Sequence, residues 1–339
     1  MTVDLHFSMT RSSLVVALFI LNTASAHAQA VDSWSAGFRA SGRAANTPAE
    51  KPQFKSSVAL VPLDVCVRNR DGRPTTGLKP EDFLILENNV PQQIVLFSAE
   101  GRVPLAVALL VDNSSSMAGL RLERARVAAA EFIGILRSGD LVEVISFNER
   151  PNLRYPLGTD HEQAKRSLNE ISAAGMARLY EAALVALRRL ERAQRSRTVG
   201  YRNVMVLLSD GEDTASRLPF DDVLEDVRRS GVLVYTISLR TDEHDRVVAP
   251  RWQMAHLAND TGGRAVAVRA LSGLTQIYQD IGVELLHLYR LGYVPSAPAR
   301  DGSWRSVSVR VPTRNVVIQT RSGYYAPRPP PKILHKLDR

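Results

Sequence analysis

The stretch Leu105-Ala-Val-Ala-Leu-Leu-Val111, followed directly by Asp112-Asn-Ser114-Ser-Ser116, decides the fold of this chain. Seven consecutive apolar residues, rich in Val and Leu, are too few to span a bilayer and are typical of a central strand that helices cover on both faces. In open α/β sheets, the loops at the carboxyl ends of the strands line the binding crevice. The sequence therefore predicts that Asp112, Ser114 and Ser116 stand together at the rim of a crevice.

A second apolar run repeats this design further along the chain. Asn203-Val-Met-Val-Leu-Leu208 ends on Ser209-Asp210-Gly211. If the sheet topology reverses between the two strands, they are neighbours and both polar loops open onto one crevice. Two carboxylates and two hydroxyls are hard oxygen ligands, which suit a hard divalent cation such as Mg²⁺, whereas softer metals prefer His or Cys. We therefore predict a metal site formed by Asp112, Ser114, Ser116 and Asp210.

The spacing within the first loop also bears on its chemistry. In Asp-x-Ser-x-Ser an extended backbone turns alternate side chains to one side, so the oxygens of the predicted ligands converge while Asn113 and Ser115 face away. A hydrolase that uses Ser114 or Asp112 as its nucleophile is a second hypothesis. Ser114 lacks a Gly-x-Ser-x-Gly elbow and the histidines are scattered along the chain, so this hypothesis is the weaker one.

From Pro104 onward, strand patterns alternate with helix patterns. Residues 120–136 carry apolar side chains close to a 3.6-residue period, and residues 141–147 have the pattern of the next strand. Such alternation indicates an α/β fold with a mostly parallel sheet and helices on both of its faces. Further helices are predicted at 162–171, 179–190, 220–229, 251–258 and 271–286, and further strands at 203–208, 232–238 and 265–268.

Short strand patterns flank this α/β region on both sides. They lie at 60–68, 83–86 and 94–97 before it, and at 288–294, 304–311 and 316–320 after it. Neither set alone buries enough apolar surface to be stable. We therefore expect the two sets to pair into a small all-β, sandwich-like unit into which the α/β domain is inserted or which flanks it.

The first thirty residues are typical of a secretory signal peptide. Arg11 precedes an apolar run at 14–21, and small-x-small cleavage sites follow between Ala24 and Ala30. We expect an exported protein, periplasmic or extracellular, cleaved near Ala26 to Ala30 and without a transmembrane segment in the mature chain. The predicted limits are signal peptide 1–30, linker 31–55, N-terminal strands 56–101, α/β domain 102–287, C-terminal strands 288–326 and a mobile tail at 327–339.

The bulk composition excludes several classes of protein. With 45% hydrophobic and 23% charged residues, the chain is neither wholly disordered nor a polytopic membrane protein. Its net charge of +8 comes partly from arginines on helix-like segments without interleaved aromatic residues, which favours a solvated helix face over nucleic-acid binding. Cys66 is the only cysteine in the sequence, which excludes an intrachain disulfide and predicts a small buried side chain.

The two polar loops resemble the metal-ion-dependent adhesion site of von Willebrand factor A domains, and the resemblance spans roughly residues 104–286. The stretch from Val67 to Phe83 and the ending Arg321-Ser-Gly-Tyr-Tyr325 resemble the exported von Willebrand factor A-related proteins of Acidobacteria. The resemblance implies a Rossmann-like, doubly wound and mostly parallel sheet with a metal at its carboxyl edge, in a non-enzymatic adhesion or protein-interaction module. It implies that Ser114 and Ser116 bind Mg²⁺, or Mn²⁺ or Ca²⁺, directly, that Asp112 and Asp210 bind it directly or through water, and that an Asp or Glu of a partner protein completes the coordination.

One position departs from the family pattern. The family usually contributes a Thr from a middle loop, in a run like Gly-Gly-Thr-Ala-Leu-Tyr-Asp, whereas Gly175-Met-Ala177-Arg178-Leu-Tyr-Glu181 places Ala177 there. Ala offers no oxygen, so we expect weaker metal binding with a water in the vacated position. Arg178 adds a positive charge that competes with the cation or pairs with an acidic partner. A metal-free structural scaffold with a degenerate site is therefore the alternative.

Overall fold

A computed structural model of the chain describes residues 60–99, 103–196, 200–210, 213, 215–239, 249–268, 270–296 and 300–328. The predicted signal peptide, the linker and the tail from residue 329 onward lie outside the described residues. The strands are β1 (Val61–Arg68), β2 (Leu84–Glu87), β3 (Val90–Gln92), β4 (Ile94–Ser98), β5 (Leu105–Asp112), β6 (Leu141–Phe147), β7 (Pro151–Gly158), β8 (Arg202–Ser209), β9 (Leu233–Ser238), β10 (Ala265–Ala267), β11 (Tyr289–Tyr293), β12 (Trp304–Arg310), β13 (Val317–Gln319) and β14 (Gly323–Tyr325). The α-helices are α1 (Leu120–Ile135), α2 (His161–Leu168), α3 (Leu179–Arg195), α4 (Phe220–Ser230), α5 (Ala249–Asn259) and α6 (Leu274–Leu286). In these described ranges, no helix is both long and apolar enough to cross a membrane.

The apolar stretch of residues 105–111 lies in β5, a central strand of a six-stranded sheet. Every residue of β5 is buried, because helices cover both faces of the sheet at this strand. The strand order is β10-β9-β8-β5-β6-β7, and of these six strands only β7 runs antiparallel to its neighbour. The structure thus confirms the predicted Rossmann-like, mostly parallel α/β fold.

Successive residues of β5 supply two separate hydrophobic clusters, because side chains alternate between the faces of a strand. Val107 and Leu109 pack in one cluster with residues of α1 and α6, among them Phe132. Ala108 and Leu110 pack in the other with residues of α3 and α4. Helix packing on both faces holds the carboxyl ends of the strands at one edge of the sheet.

The flanking strands build a β-sandwich with four strands in each sheet, ordered β13-β1-β11-β4 and β14-β12-β2-β3. Each sheet combines strands from before and after the α/β domain, since β1 pairs with β11 and β13 while β2 pairs with β12. Side chains from both sheets fill the space between them, including Leu63, Ile85, Tyr289 and Val309. The α/β domain is therefore inserted between β4 and β11 of the sandwich, and its residue limits stay predictions.

Some strands have no clear signal in the sequence. β7 contains two prolines, Pro151 and Pro156, which an edge strand tolerates because its outer side needs no ladder partner. β3 follows a two-residue turn at Asn88 and Asn89, whose φ values of 47° and 64° allow the chain to reverse directly after β2. β14 is only three residues long.

A largely buried ion pair between Asp64 and Arg202 joins the sandwich to the α/β domain. The Asp64 carboxylate of β1 accepts hydrogen bonds from Arg202 Nε, at the start of β8, at 2.8 Å and from Arg290 Nε at 3.0 Å. Burial alone raises the pKa of Asp64, but the charges of the two guanidinium groups outweigh it, so the pKa lies below the usual value. Glu284 of α6 is also buried at this junction and accepts the Tyr235 hydroxyl at 2.9 Å. We call this contact region, which contains Asp64, Arg202, Arg290 and Glu284, the junction.

Candidate metal centre

The carboxyl ends of β5 and β8 are neighbours in the sheet. The two strands pair in parallel with Val111 opposite Leu208, so the residues that follow leave the sheet at the same edge. The chain passes from β5 to β6 on one side and returns through β8 on the other, which makes the β5/β8 boundary the topological switch point. Ligands of open α/β sheets bind at such a point. The structure therefore places Asp112 and Asp210 at the crevice that the sequence predicts.

Hydrogen bonds hold the first loop around the Asp112 carboxylate. Oδ1 accepts the Ser114 backbone N–H at 2.8 Å, and Oδ2 accepts the Ser209 hydroxyl at 2.6 Å. The first of these bonds closes an Asx turn, which the Asp-x-Ser spacing favours. The hydroxyls of Ser114 and Ser116 lie 3.0 Å apart and are hydrogen-bonded to each other. The three predicted ligands of this loop thus form one connected cluster.

The candidate metal centre contains two buried carboxylates. Asp112 is 0% exposed and Asp210 is 4% exposed. Burial raises the pKa of Asp112, the negative charge of Asp210 raises it too, and hydrogen bonds from Ser114 and Ser209 lower it, with a result of about 6. Neighbouring carboxylates in a low dielectric ionise together only if a positive charge compensates them. This set of oxygen donors therefore fits a hard divalent cation.

The predicted metal site needs its serine hydroxyls in order to offer enough ligands to a cation. Within the part of the chain that the structure describes, no group of three or more His, Cys, Asp or Glu side chains is arranged to hold a metal ion. Two carboxylates alone make a weak site for a cation that takes six or more oxygen ligands. Ser114 and Ser116, together with water, would have to supply the rest.

The middle loop, residues 172–178, packs directly on the first loop. The Ser115 N–H donates to the Gly175 carbonyl at 2.8 Å, and Asn113 Nδ2 donates to the Ser172 carbonyl at 2.7 Å. The Asn113 carbonyl in turn accepts the Ala174 N–H at 2.9 Å. Asn113, which the sequence predicts to face away from the metal ligands, thus holds the middle loop against the first loop through both its side chain and its backbone.

The sequence matches the family model of the von Willebrand factor type A domain over residues 106–280, more than half of the 339-residue chain. The chain belongs to this family. We call the matched region the VWA domain, and it contains both loops of the candidate metal centre. Members of the family are mostly interaction and adhesion modules without enzymatic activity.

Curated relatives carry the same domain within much longer chains. Inter-alpha-trypsin inhibitor heavy chain H4 of Sus scrofa is 28% identical over 204 residues, which cover 58% of this chain and 22% of the relative. Inter-alpha-trypsin inhibitor heavy chain H6 of Homo sapiens is 28% identical over 241 residues, 63% of this chain and 18% of the relative. The chain thus spans about a fifth of the length of these relatives.

Solved structures of similar fold include a von Willebrand factor type A protein from Catenulispora acidiphila. It is 12% identical with a TM-score of 0.48, and the match covers 81% of this chain and 76% of that one. Proximal thread matrix protein 1 from the mussel byssus, with a zinc-occupied MIDAS motif, is 15% identical with a TM-score of 0.46, over 56% of this chain and 50% of that one.

Ala177 of the VWA domain is buried in the middle loop. Its side chain is 2% exposed, and its carbonyl accepts the Ala215 N–H at 3.0 Å. Asp213 Oδ1 accepts the Leu179 N–H at 3.2 Å, which satisfies a donor in the first turn of α3. The loop after Asp210 therefore holds the middle loop in place, while the methyl group of Ala177 supplies no metal ligand.

Ser209 is the site residue that sequence reasoning left without a role. Its hydroxyl orients the Asp112 carboxylate from the neighbouring strand, and its only signal was a hydroxyl directly before the strand-end aspartate. Two described histidines bond elsewhere: His161 Nε2 contacts the Asp140 carbonyl at 3.0 Å, and His287 Nδ1 the Val283 carbonyl at 2.7 Å. Neither is placed to serve Ser114 as a general base, so the hydrolase hypothesis gains nothing from them.

Proposed function

We propose that the chain is an exported protein-interaction module whose VWA domain binds the carboxylate of an Asp or Glu on a partner protein through a divalent cation, Mg²⁺ by preference. The residues that hold the cation would be Asp112, Ser114, Ser116 and Asp210. The observation that carries this proposal is the pair of buried carboxylates at the β5/β8 switch point, joined to serine hydroxyls. Membership in a family of interaction modules supports it.

Each side chain has a part in this proposal. The Ser114 N–H and the Ser209 hydroxyl fix the orientation of the Asp112 carboxylate, so little ordering is required when a ligand binds. The negative charges of Asp112 and Asp210 match a divalent cation, and Ser116, whose hydroxyl is bonded to that of Ser114, is an exposed residue. When bound, the cation supplies a positive coordination position that a carboxylate can occupy.

Isothermal titration calorimetry with Mg²⁺ and Mn²⁺ tests the metal site on the full chain. We expect saturable binding that Asp112→Ala abolishes. Asp71→Ala, which removes an exposed carboxylate from a loop of the sandwich, is the matched control and leaves binding unchanged. The proposal is wrong if the wild-type chain binds neither metal up to about 10 mM, or if Asp112→Ala leaves the affinity unchanged.

Dependence of partner binding on the metal separates this function from a second candidate. The buried methyl group of Ala177, where the family pattern has a Thr, favours a metal-free scaffold. Co-purification from the cell envelope fraction, with Mg²⁺ and with a chelator, distinguishes the two. Partners that are lost in chelator support the metal-dependent module, and partners that persist support the scaffold.

A further inference from the structure

Two large apolar side chains stand exposed beside the candidate metal centre. Met176 and Leu120 are each 53% exposed, and neither belongs to the hydrophobic clusters that hold the domain together. Met176 follows Gly175, whose carbonyl accepts the Ser115 N–H, and Leu120 begins α1 four residues after Ser116. The two apolar side chains therefore belong to segments on either side of the serine loop. Methionine is enriched at the core of protein interfaces, so an exposed Met176 beside the serine loop suits a contact surface.

Charged side chains stand among these apolar ones. Arg121 Nη1 donates to the Ser116 carbonyl at 3.0 Å, which fixes its guanidinium on the serine loop. Arg178 directly follows Ala177, and its Nε is buried without a hydrogen-bond partner among the described residues. A negative charge lies on the middle-loop side, where Glu149 Oε1 is 3.1 Å from the place a Cβ would take on Gly175. The φ of +72° at Gly175 also requires a glycine there.

We propose that five residues form a contact rim for a partner segment in which the carboxylate of an Asp or Glu is flanked by an apolar side chain. This contact rim consists of Leu120, Arg121, Glu149, Met176 and Arg178. This inference rests on the proposed function, because the carboxylate docks at the candidate metal centre.

Charge and polarity together select this kind of partner. A uniformly acidic surface would leave Met176 and Leu120 without an apolar contact and would bring like charge to Glu149. A purely apolar surface would cover the guanidinium groups of Arg121 and Arg178 without supplying a carboxylate to meet their charges. An acidic residue with an apolar neighbour suits both parts of the contact rim. The acid meets the positive charges, while the apolar neighbour covers Leu120 and Met176.

A peptide library with one fixed Asp at its centre and randomised neighbours tests the inference. The library is passed over the immobilised full chain in Mg²⁺, and the retained peptides are sequenced. We expect apolar residues to be enriched about fivefold to tenfold over serine at one or more positions beside the Asp, because the rim buries part of an apolar side chain. Retention itself is expected to disappear in chelator.

Variants assign the enrichment to the rim. In the double variant Leu120→Ser with Met176→Ser, the enrichment falls below about twofold while the Mg²⁺ affinity in calorimetry stays unchanged. Val317→Ser is the matched control, since Val317 is 52% exposed on the sandwich, and it retains the full enrichment. Enrichment that survives in the double variant, or that favours charged neighbours, overturns the inference.

The same measurements separate a failure of this inference from a failure of the proposed function. If calorimetry detects no metal binding, the proposed function fails and the inference fails with it. If Mg²⁺ binds and Asp peptides are retained without preference for apolar neighbours, only the inference fails. If Mg²⁺ binds but no Asp peptide is retained, the carboxylate-binding role and the rim are both overturned, while the metal site stands.

Discussion

Two aspartates, Asp64 at the junction and Asp112 at the candidate metal centre, have opposite electrostatic surroundings, although the Asp64 side chain is only 12% exposed and Asp112 is fully buried. Asp64 accepts hydrogen bonds from the guanidinium groups of Arg202 and Arg290, and its pKa lies below the usual value although burial raises it. Asp112 accepts hydrogen bonds from neutral groups and has Asp210 as its charged neighbour, and burial with that charge raises its pKa to about 6. Arginine side chains of the same chain compensate the negative charge of Asp64, whereas the charged neighbour of Asp112 is another carboxylate.

The difference separates a structural carboxylate from a functional one. Removing one member of a compensated buried pair leaves the other charge without a partner and destabilises the fold. Removing a buried charge that stands next to a like charge relieves repulsion instead. The two aspartates should therefore respond in opposite ways when each is neutralised.

Asp64→Ala should have the largest effect on stability. Arg202 is 2% exposed, so the substitution leaves a buried guanidinium without its acidic partner. We expect the free energy of unfolding to fall by about 3–5 kcal/mol. Urea denaturation followed by circular dichroism measures it. Asp71→Ala, on the surface of the same sandwich, should stay within about 0.5 kcal/mol of wild type, and a loss below about 1 kcal/mol for Asp64→Ala would contradict the compensated-pair interpretation.

The contribution of Asp64 should also disappear in acid. Because its pKa is lower in the folded chain than in the unfolded chain, Asp64 contributes stability above its unfolded-state pKa and loses it as the pH falls through its folded-state pKa. The difference in unfolding free energy between wild type and Asp64→Asn should be constant from about pH 5 to pH 7 and shrink below about pH 4. Denaturation curves at a series of pH values measure this difference. A difference that grows toward low pH would be evidence against the ion pairs.

Asp112→Asn should behave differently from substitutions at the junction. In chelator we expect its unfolding free energy to lie within about 1 kcal/mol of wild type or above it, since relief of repulsion from Asp210 offsets weakened hydrogen bonds. Mg²⁺ at about a hundred times its Kd should stabilise the wild type by about 2.7 kcal/mol and the variant not at all. Thermal unfolding with and without Mg²⁺ measures both effects. A loss as large as that of Asp64→Ala would make Asp112 a structural residue.

The fold and most of the candidate site could be predicted because their signals are local in the sequence. The uninterrupted apolar run of β5, the similar run of β8 and the polar residues at the two strand ends each occupy a few consecutive positions. Alternation of strands and helices then indicated a parallel sheet. The recurrence of β patterns at 288–294 after those at 60–68 indicated the pairing that β1 and β11 form.

Contacts between distant positions had no such signal. The Ser209 hydroxyl meets Asp112 across 97 positions, and Arg202 meets Asp64 across 138 positions. An arginine that begins an apolar strand gives no indication of its partner, because side-chain pairing follows the final packing of two domains. The contacts of Asn113 with Ser172 and Ala174 likewise depend on how the middle loop folds onto the first loop, which a two-residue period does not describe.

Ala177→Thr offers the smallest and most specific change at the centre. A threonine hydroxyl at this place in the middle loop would add one oxygen to a donor set that relies on two serines, so we expect Mg²⁺ to bind about three to ten times more tightly, roughly 1 kcal/mol. Ala177 is buried, and any larger side chain must displace its neighbours. Ala177→Val is therefore the matched control, because valine has nearly the shape of threonine but no hydroxyl. Calorimetry of both variants separates the effect of the added oxygen from that of the packing change.

If threonine and valine alter the Mg²⁺ affinity equally, position 177 does not face the cation, and the alignment of the middle loop with the family pattern is wrong. If threonine alone tightens binding, Ala177 is the reason that this VWA domain holds its metal more weakly than the family pattern implies.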